Sequence, residues 1–278
     1  MSRAEKVEEA TAEFEALLNY LADTTETPES YGGVPQEVAD QKRKGKYAEF
    51  KMPIYNGRSV ADRLSLEREG FLLVQHDTQV KNFYDEAEVR SIYYKETEEL
   101  VKRTAGAKRV LVFDHTLRAA DSAIREANQV SSPVRNAHND YTEWSGPQRV
   151  RDLLPDEAAE LISRRFAVVQ TWRPINKPVQ NDHLAIADAR TIDMTDLIPS
   201  ARIYPERRGE VYHLTQSPAH RWYYFPNMQR TEAMVFKCYD SLKDGHARWT
   251  AHCAFDDPTA PPHANPRESI EMRTLAFF

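Results

Sequence analysis

Short runs of apolar or alternating apolar and polar residues fill the second half of the chain, and Pro, Gly, Asn and Asp separate them. Runs of this length and composition are typical of β-strands. The predicted strands cover residues 166–172, 183–187, 210–215, 222–225, 232–239, 248–255 and 268–277. Because few helical patterns interrupt them, they predict a mainly β protein with flanking helices and a barrel or jelly-roll core.

The first half of the chain contains the helical patterns. Apolar residues recur at helical spacing in residues 1–23, which favours an amphipathic helix there. Asp85 and Glu88 have the spacing of a capping box and Gly106 supplies a stop, so a second helix is predicted between them. A further helix is expected from about Pro155.

Turn signals define the connections between these elements. Asn56-Gly57 is a hairpin signal between short strands, and 71–74 and 109–113 are expected to be strands. Asp244-Gly245 is a second tight-turn signal, so the strands on either side of it should pair with each other.

The composition is that of a globular protein that folds without cross-links. The two cysteines, Cys238 and Cys253, exclude a disulfide scaffold and any four-cysteine metal site. A net charge of −6 argues against a nucleic-acid backbone as the main partner. No apolar run approaches the roughly 18 residues of a membrane span, and the acidic N-terminus lacks the apolar region of a signal peptide. We therefore expect a cytoplasmic protein whose partners include neither nucleic acid nor membrane.

The length of the chain favours one domain. Domains usually contain about 100–200 residues, but β barrels reach about 250 as one unit. We expect a single domain over 1–278, in which an N-terminal extension, 1–83, packs on a core of helices and jelly roll, 84–278.

One histidine of nine is followed two residues later by a carboxylate, in His138-Asn139-Asp140. Residues i and i+2 of an extended strand point to the same side, so this imidazole and carboxylate can bind adjacent positions on a metal. Two histidines and one carboxylate form the facial triad of non-haem Fe(II) oxygenases. Nine histidines in a chain with 43 acidic residues make one such pair common by chance, so a purely structural role stays open.

A third metal ligand would be a second histidine from a distant strand. His252 is preferred, because it shares the more polar face of its predicted strand with Arg248 and Thr250. His213 and His220 are the alternatives.

The last predicted strand has two arginines on one face, Arg267 and Arg273, and Ser269 is one same-face step from Arg267. A planar guanidinium binds a carboxylate through two parallel hydrogen bonds, and a hydroxyl adds a third donor. The strand is therefore a candidate carboxylate site centred on Arg267 and Ser269, with Arg273 as the competitor.

The order of these motifs resembles the Fe(II)/2-oxoglutarate-dependent oxygenase superfamily. The segments HNDYTEWSGP, FKCYDS, AHCAFDDP and RESIEMR resemble its gibberellin-desaturase and cephem-methoxylase-like (CmcJ–NvfI) family of hydroxylases and desaturases. The resemblance runs from about Tyr84 to the C-terminus. It implies a double-stranded β-helix, a cupin-like jelly roll, with iron at its open end.

The resemblance also implies roles for individual residues. It assigns Fe(II) to His138, Asp140 and His252, and the far carboxylate of the co-substrate 2-oxoglutarate to Arg267 with Ser269. It implies O₂ as the oxidant and hydrogen abstraction from a small molecule of secondary metabolism, giving hydroxylation, desaturation or oxidative cyclisation. The interval between His252 and Arg267 is longer than in many such oxygenases, which keeps Arg273 as an alternative.

Contacts to a small-molecule substrate are the least constrained predictions, and a homodimer is left open. The candidates are Arg118, Tyr141, Trp144, Trp222 and Tyr224. Two functions from other classes are alternatives to an oxygenase. They are a non-catalytic jelly-roll binding protein and a zinc-dependent hydrolase that uses the same three ligands.

Overall fold

Two β-sheets dominate the computed structural model, which describes residues 11–278. In spatial order, the larger sheet contains β1 (Ala12–Leu21), β3 (Tyr47–Asn56), β11 (Trp222–Tyr224), β8 (His183–Ala187), β13 (His252–Phe255), β6 (His138–Asn139), β10 (Arg208–Leu214), β9 (Leu197–Ile203) and β2 (Glu29–Tyr31). The smaller sheet contains β4 (Phe71–Gln75), β12 (Glu232–Asp240), β7 (Phe166–Pro174), β14 (Glu268–Phe277) and β5 (Arg109–Ala119). Pairing is mostly antiparallel, and one apolar core contains side chains of both sheets, such as Ile186 and Phe236. The predicted mainly β fold with a jelly-roll core is confirmed.

Helices flank the sheets. They are α1 (Gln36–Lys42), α2 (Glu86–Glu88), α3 (Tyr94–Ala105), α4 (Ser122–Asn128), α5 (Ser145–Leu153) and α6 (Ala158–Ser163). A π-helical turn joins α2 to α3, Asp85 caps α2 by accepting from two backbone N–H groups, and Gly106 ends α3 with φ +70°. The second predicted helix is thus confirmed. Among the helices of residues 11–278, none is long and apolar enough to cross a bilayer.

The predicted helix over 1–23 is wrong where the structure describes it, because residues 12–21 form strand β1; residues 1–10 lie outside the described part. Leu17 is 50% exposed and Leu18 is 1% exposed, which is the alternation of a strand with one buried face. The apolar residues of this segment fit both periods, and antiparallel pairing with β3 selects the strand.

Two neighbouring leucines test the strand assignment. We expect Leu18→Ala to lower the free energy of unfolding by about 2–5 kcal/mol, because it empties a buried site. The matched variant Leu17→Ala should change it by no more than about 0.5 kcal/mol, since its side chain faces solvent. Urea unfolding measures both values, and equal losses would contradict the strand register.

Both turn predictions are also wrong. Asn56 instead caps a 3₁₀-helix, Gly57–Arg63, by accepting from the Arg58 N–H at 2.9 Å. Gly57 packs so closely under Phe225 that an added Cβ would lie 2.6 Å from the ring, which explains the glycine without a hairpin. The strands on either side of Asp244-Gly245 belong to different sheets, because β12 pairs with β4 and β7 whereas β13 pairs with β6 and β8.

Candidate metal centre

The shortest strand of the larger sheet brings three histidines together. β6 lies between β10 and β13, and its residue His138 is directly opposite His213 on β10 and His252 on β13. The ring centroid of His138 is 4.5 Å from that of His252 and 6.3 Å from that of His213. Strand pairing therefore joins residues that are far apart in the sequence.

Asp140 follows β6 directly, and its carboxylate turns towards His138. Its Oδ1 lies 3.3 Å from His138 Nε2, while Oδ2 accepts from Gln170 Nε2 at 2.8 Å and from Arg273 Nε at 3.1 Å. Burial alone would raise the pKa of Asp140, but Arg273 and then His138 outweigh it and hold the pKa well below its usual range. Asp140 is therefore an ionised acceptor whose outer oxygen is fixed by two donors.

The donor atoms of these residues fit a divalent cation. One nitrogen of His138, one of His252 and a carboxylate oxygen of Asp140 all lie within 4.8 Å of one another. His138 Nδ1 donates to the carbonyl of Asn136 at 2.7 Å, which leaves Nε2 as the atom that faces Asp140. His252 Nε2 is buried and has no hydrogen-bond partner within residues 11–278. A bound cation would satisfy this nitrogen and separate Asp140 from His138.

The electrostatics of His252 agree with a ligand role. Burial, followed by the nearby His138, lowers the pKa of His252 to about 4. The imidazole is therefore neutral at neutral pH, and neutral imidazole is the form that binds metals.

The two candidate arginines of β14 have different surroundings. Arg273 is engaged with carboxylates, because it donates to Asp140, to Asp114 at 3.3 Å and to Glu271 at 2.5 Å. Its remaining contact is Thr116 Oγ1 at 2.8 Å. Arg273 is thus saturated and orients Asp140.

Arg267 is buried at 3% exposure and forms no ion pair with a carboxylate of residues 11–278. Its Nε donates to Ser269 Oγ at 3.0 Å and its Nη1 donates to the Asp182 carbonyl at 3.0 Å. The guanidinium lies 4.8 Å from the centroid of the Trp172 ring, whose buried N–H has no described partner. Burial, followed by repulsion from Arg118, lowers the pKa of Arg267 to about 9, so it stays charged at neutral pH.

A cavity of about 660 Å³ opens beside the three ligand candidates, and its wall includes His138 and Asp140. This volume is within the range of small-molecule sites. Three of the candidate substrate contacts, Arg118, Tyr141 and Trp144, line it. The cavity therefore gives a small molecule access to the metal centre.

Comparisons with known proteins agree with this geometry. A sequence family described as an oxidoreductase/YMDC permease-like domain matches residues 18–277. The hydroxylase/desaturase efuI of Hormonema carpetanum is 33% identical over 84% of this chain and 85% of its own. The Fe(II)/2-oxoglutarate-dependent dioxygenase nvfI of Aspergillus novofumigatus is 30% identical over 94% of this chain and 95% of its own. A solved structure, the iron and alpha-ketoglutarate-dependent endoperoxidase NvfI, matches with a TM-score of 0.82 at 28% identity, over 95% of this chain and 97% of that one.

The chain belongs to this family of Fe(II)/2-oxoglutarate-dependent oxygenases. The resemblance stated from the sequence motifs is confirmed, and so is the predicted non-haem oxygenase of secondary metabolism over the binding protein and the zinc hydrolase. Fe(II), 2-oxoglutarate and O₂ are accordingly its cofactor and co-substrates.

Two of the candidate substrate residues of the oxygenase lie outside the cavity lining. Trp222 is fully buried and its indole N–H donates to Tyr20 at 2.7 Å. Tyr224 is buried as well and donates to Glu13 at 3.0 Å. Both rings are core residues of the larger sheet, since their strand β11 pairs on both sides with β3 and β8.

The two alternative histidines of the oxygenase also have their own places. His220 is buried against Tyr20 and lies 3.1 Å from Asp196, so it belongs to a structural network. His213 lines the cavity and packs against Tyr47, and its Nδ1 has no described partner.

Sequence reasoning missed the residue that helps Arg273 to hold Asp140. Gln170 on β7 donates to Asp140 at 2.8 Å, and it lies opposite Arg273 in the register of β7 and β14. A polar residue inside a fully buried strand was the signal that could have indicated it.

Proposed function

We propose that His138, Asp140 and His252 hold the Fe(II) of this oxygenase. The observation that carries the proposal is the gathering of three suitable donor atoms within 4.8 Å, one of them a buried nitrogen without a described partner. When bound, the iron with 2-oxoglutarate and O₂ supplies the oxidising chemistry that removes hydrogen from a substrate. The chain itself fixes the ligands: the Asn136 carbonyl orients His138, and Gln170 and Arg273 orient Asp140.

We infer that the far carboxylate of 2-oxoglutarate binds Arg267 and Ser269. A buried guanidinium without a carboxylate partner is costly, and an anion that accepts two of its N–H groups offsets that cost. The Ser269 hydroxyl, which accepts from Arg267 Nε, can donate its own proton to the same anion. Arg273 is the weaker candidate, because three carboxylates already surround it.

Arg118, Tyr141 and Trp144 are proposed to contact the substrate, since they line the cavity beside the metal ligands. The division into an extension, 1–83, and a core, 84–278, stays a prediction. A cytoplasmic location and a homodimer stay predictions as well.

Formation of succinate tests the proposed function as a whole. We expect the purified protein with Fe(II), ascorbate and O₂ to convert 2-oxoglutarate to succinate slowly even without substrate, and Asp140→Ala to lose this activity. Mass spectrometry quantifies succinate. Full turnover by a correctly folded Asp140→Ala variant would overturn the ligand assignment.

Arg273→Lys separates the two arginines. We expect the apparent dissociation constant for Fe(II) to rise about 10- to 100-fold, because lysine cannot keep the contacts to Asp140, Asp114 and Glu271 together. The half-saturating concentration of 2-oxoglutarate should change much less. Calorimetric titration with Fe(II) and a succinate assay measure the two quantities, and the reverse pattern would transfer the co-substrate to Arg273.

A further inference from the structure

The charge of the cavity is opposite to that of the whole chain. Its described lining contains eight arginines against five carboxylates, whereas the chain has a net charge of −6. An enclosed wall with an excess of one sign concentrates ligands of the other sign. This excess is a property of the cavity and not of the surface as a whole.

The carboxylates in the lining do not neutralise this excess. Asp114 and Asp140 are both engaged by Arg273, and Glu29 pairs with Lys44 outside the lining. Five of the arginines form no ion pair with a carboxylate within residues 11–278, and these are Arg118, Arg149, Arg202, Arg207 and Arg208. Their charges therefore remain available to a ligand.

Arg118 is placed between the metal centre and the cavity mouth. Its Nη1 donates to the Ser132 carbonyl at 2.9 Å, which holds the side chain against the wall. Burial lowers the pKa of Arg118, and the charges that act on it come from Glu271, Arg273 and Asp140 on one side and from Arg202 on the other. A neutral hydrogen-bond acceptor is its only described partner, so the guanidinium keeps N–H donors for an anion.

A hairpin with three arginines forms the lip of the cavity. β9 and β10 are joined at residues 204–207, and Arg202, Arg207 and Arg208 lie on either side of that turn. Arg202 donates to the Tyr204 hydroxyl at 2.6 Å, and the guanidinium of Arg207 stacks 4.0 Å from the centroid of the same ring. Aromatic contacts of this kind hold a cation in place without cancelling its charge.

Arg149 adds a further donor on the inner wall. Its guanidinium lies 4.8 Å from the centroid of the Phe113 ring, and its Nε is buried without a described hydrogen-bond partner. A buried donor of this kind normally has a partner, either in the protein or in a ligand.

We propose that the substrate of this oxygenase carries a carboxylate or a similar anionic group, which Arg118 binds after the lip arginines have attracted it. The proposal rests on the proposed function, because it assigns the cavity to the substrate. It adds a substrate class, small organic acids, that no sequence motif indicates. Anchoring an anion at Arg118 would leave the rest of the molecule to extend towards His138 and Asp140, which line the same cavity.

Two fluorescent probes that differ only in charge test the proposal. Dansylglycine has a carboxylate and dansylglycinamide has a neutral amide in its place, and either can be titrated into anaerobic enzyme loaded with Fe(II) and saturating 2-oxoglutarate. We expect the acid to bind the native enzyme at least about tenfold more tightly, as a charge-assisted hydrogen bond provides. Arg118→Met should bring the ratio of the two affinities close to one, and Arg202→Met should lower it.

Arg164→Met is the matched control, because Arg164 pairs with Glu160 outside the cavity lining, and it should keep the native ratio. Equal affinities in the native enzyme, or a native ratio in Arg118→Met, would overturn the proposal. A normal ratio combined with weaker 2-oxoglutarate binding in Arg118→Met would also overturn it, by assigning Arg118 to the co-substrate. Failure of the native enzyme to form succinate would contradict the proposed function instead, and the probe ratio does not depend on turnover.

Discussion

His252→Ala is expected to abolish iron retention, whereas His213→Ala is expected to leave it intact. The two histidines form a matched pair, because each lies directly opposite His138 in the sheet, one on each side. The nitrogen of His252 lies within 4.8 Å of the donor atoms of both His138 and Asp140, and His213 is not part of that group. The comparison therefore isolates ligation from packing around His138.

The expected loss in His252→Ala is larger than that of any supporting residue. Outer partners of metal ligands typically contribute about 10- to 100-fold to affinity, so removal of a ligand should weaken Fe(II) binding by more than about 100-fold. Plasma mass spectrometry of desalted protein gives the iron content, and calorimetric titration gives the dissociation constant. Circular dichroism should show an unchanged fold for both variants. Iron retention by His252→Ala together with loss in His213→Ala would move the third ligand to His213.

The second large effect concerns 2-oxoglutarate. Arg267→Lys should raise the half-saturating concentration of 2-oxoglutarate about 10- to 100-fold and leave iron binding unchanged. Lysine keeps the charge but loses the planar pair of N–H groups that matches a carboxylate. It also loses the simultaneous contacts with Ser269 and the Asp182 carbonyl that fix the guanidinium.

Ser269→Ala is the graded control for this variant. It removes a single hydroxyl from the same site, so its effect on 2-oxoglutarate should be in the same direction and smaller. Thermal shift gives an independent readout, because a ligand that binds the folded state raises the melting temperature. We expect 2-oxoglutarate with Fe(II) to stabilise the native enzyme more than Arg267→Lys at equal concentration. An unaltered dependence on 2-oxoglutarate in both Arg267→Lys and Arg273→Lys would remove the co-substrate site from β14.

Local patterns were sufficient for much of the smaller sheet and the helix before it. The predicted strands at 71–74, 109–113, 166–172, 232–239 and 268–277 correspond to β4, β5, β7, β12 and β14. Asp85 and Gly106 act as cap and stop because capping involves residues a few positions apart in the chain. Interactions of that range are visible in a sequence.

Predictions failed where distant pairing decided the structure. Residues 12–21 satisfy a helical period, yet nine positions of pairing with β3 make them a strand. Asp244-Gly245 has the composition of a hairpin turn, yet the strands that flank it enter different sheets. Strand β9 and helix α5 were missed, since neither has a strong local period.

By itself, the sequence determined the chemistry of the centre: a histidine and a carboxylate at i and i+2, a distant histidine, and an arginine with a serine at i+2. These are side-chain types at fixed spacing, and strand geometry alone places each pair on one face. Only the tertiary structure decided which distant groups meet. It paired β6 with β13, so that His138 faces His252, and it surrounded Arg273 with carboxylates while leaving Arg267 without one. It also removed Trp222 from the cavity, because burial and long-range pairing depend on the whole fold and not on neighbouring residues.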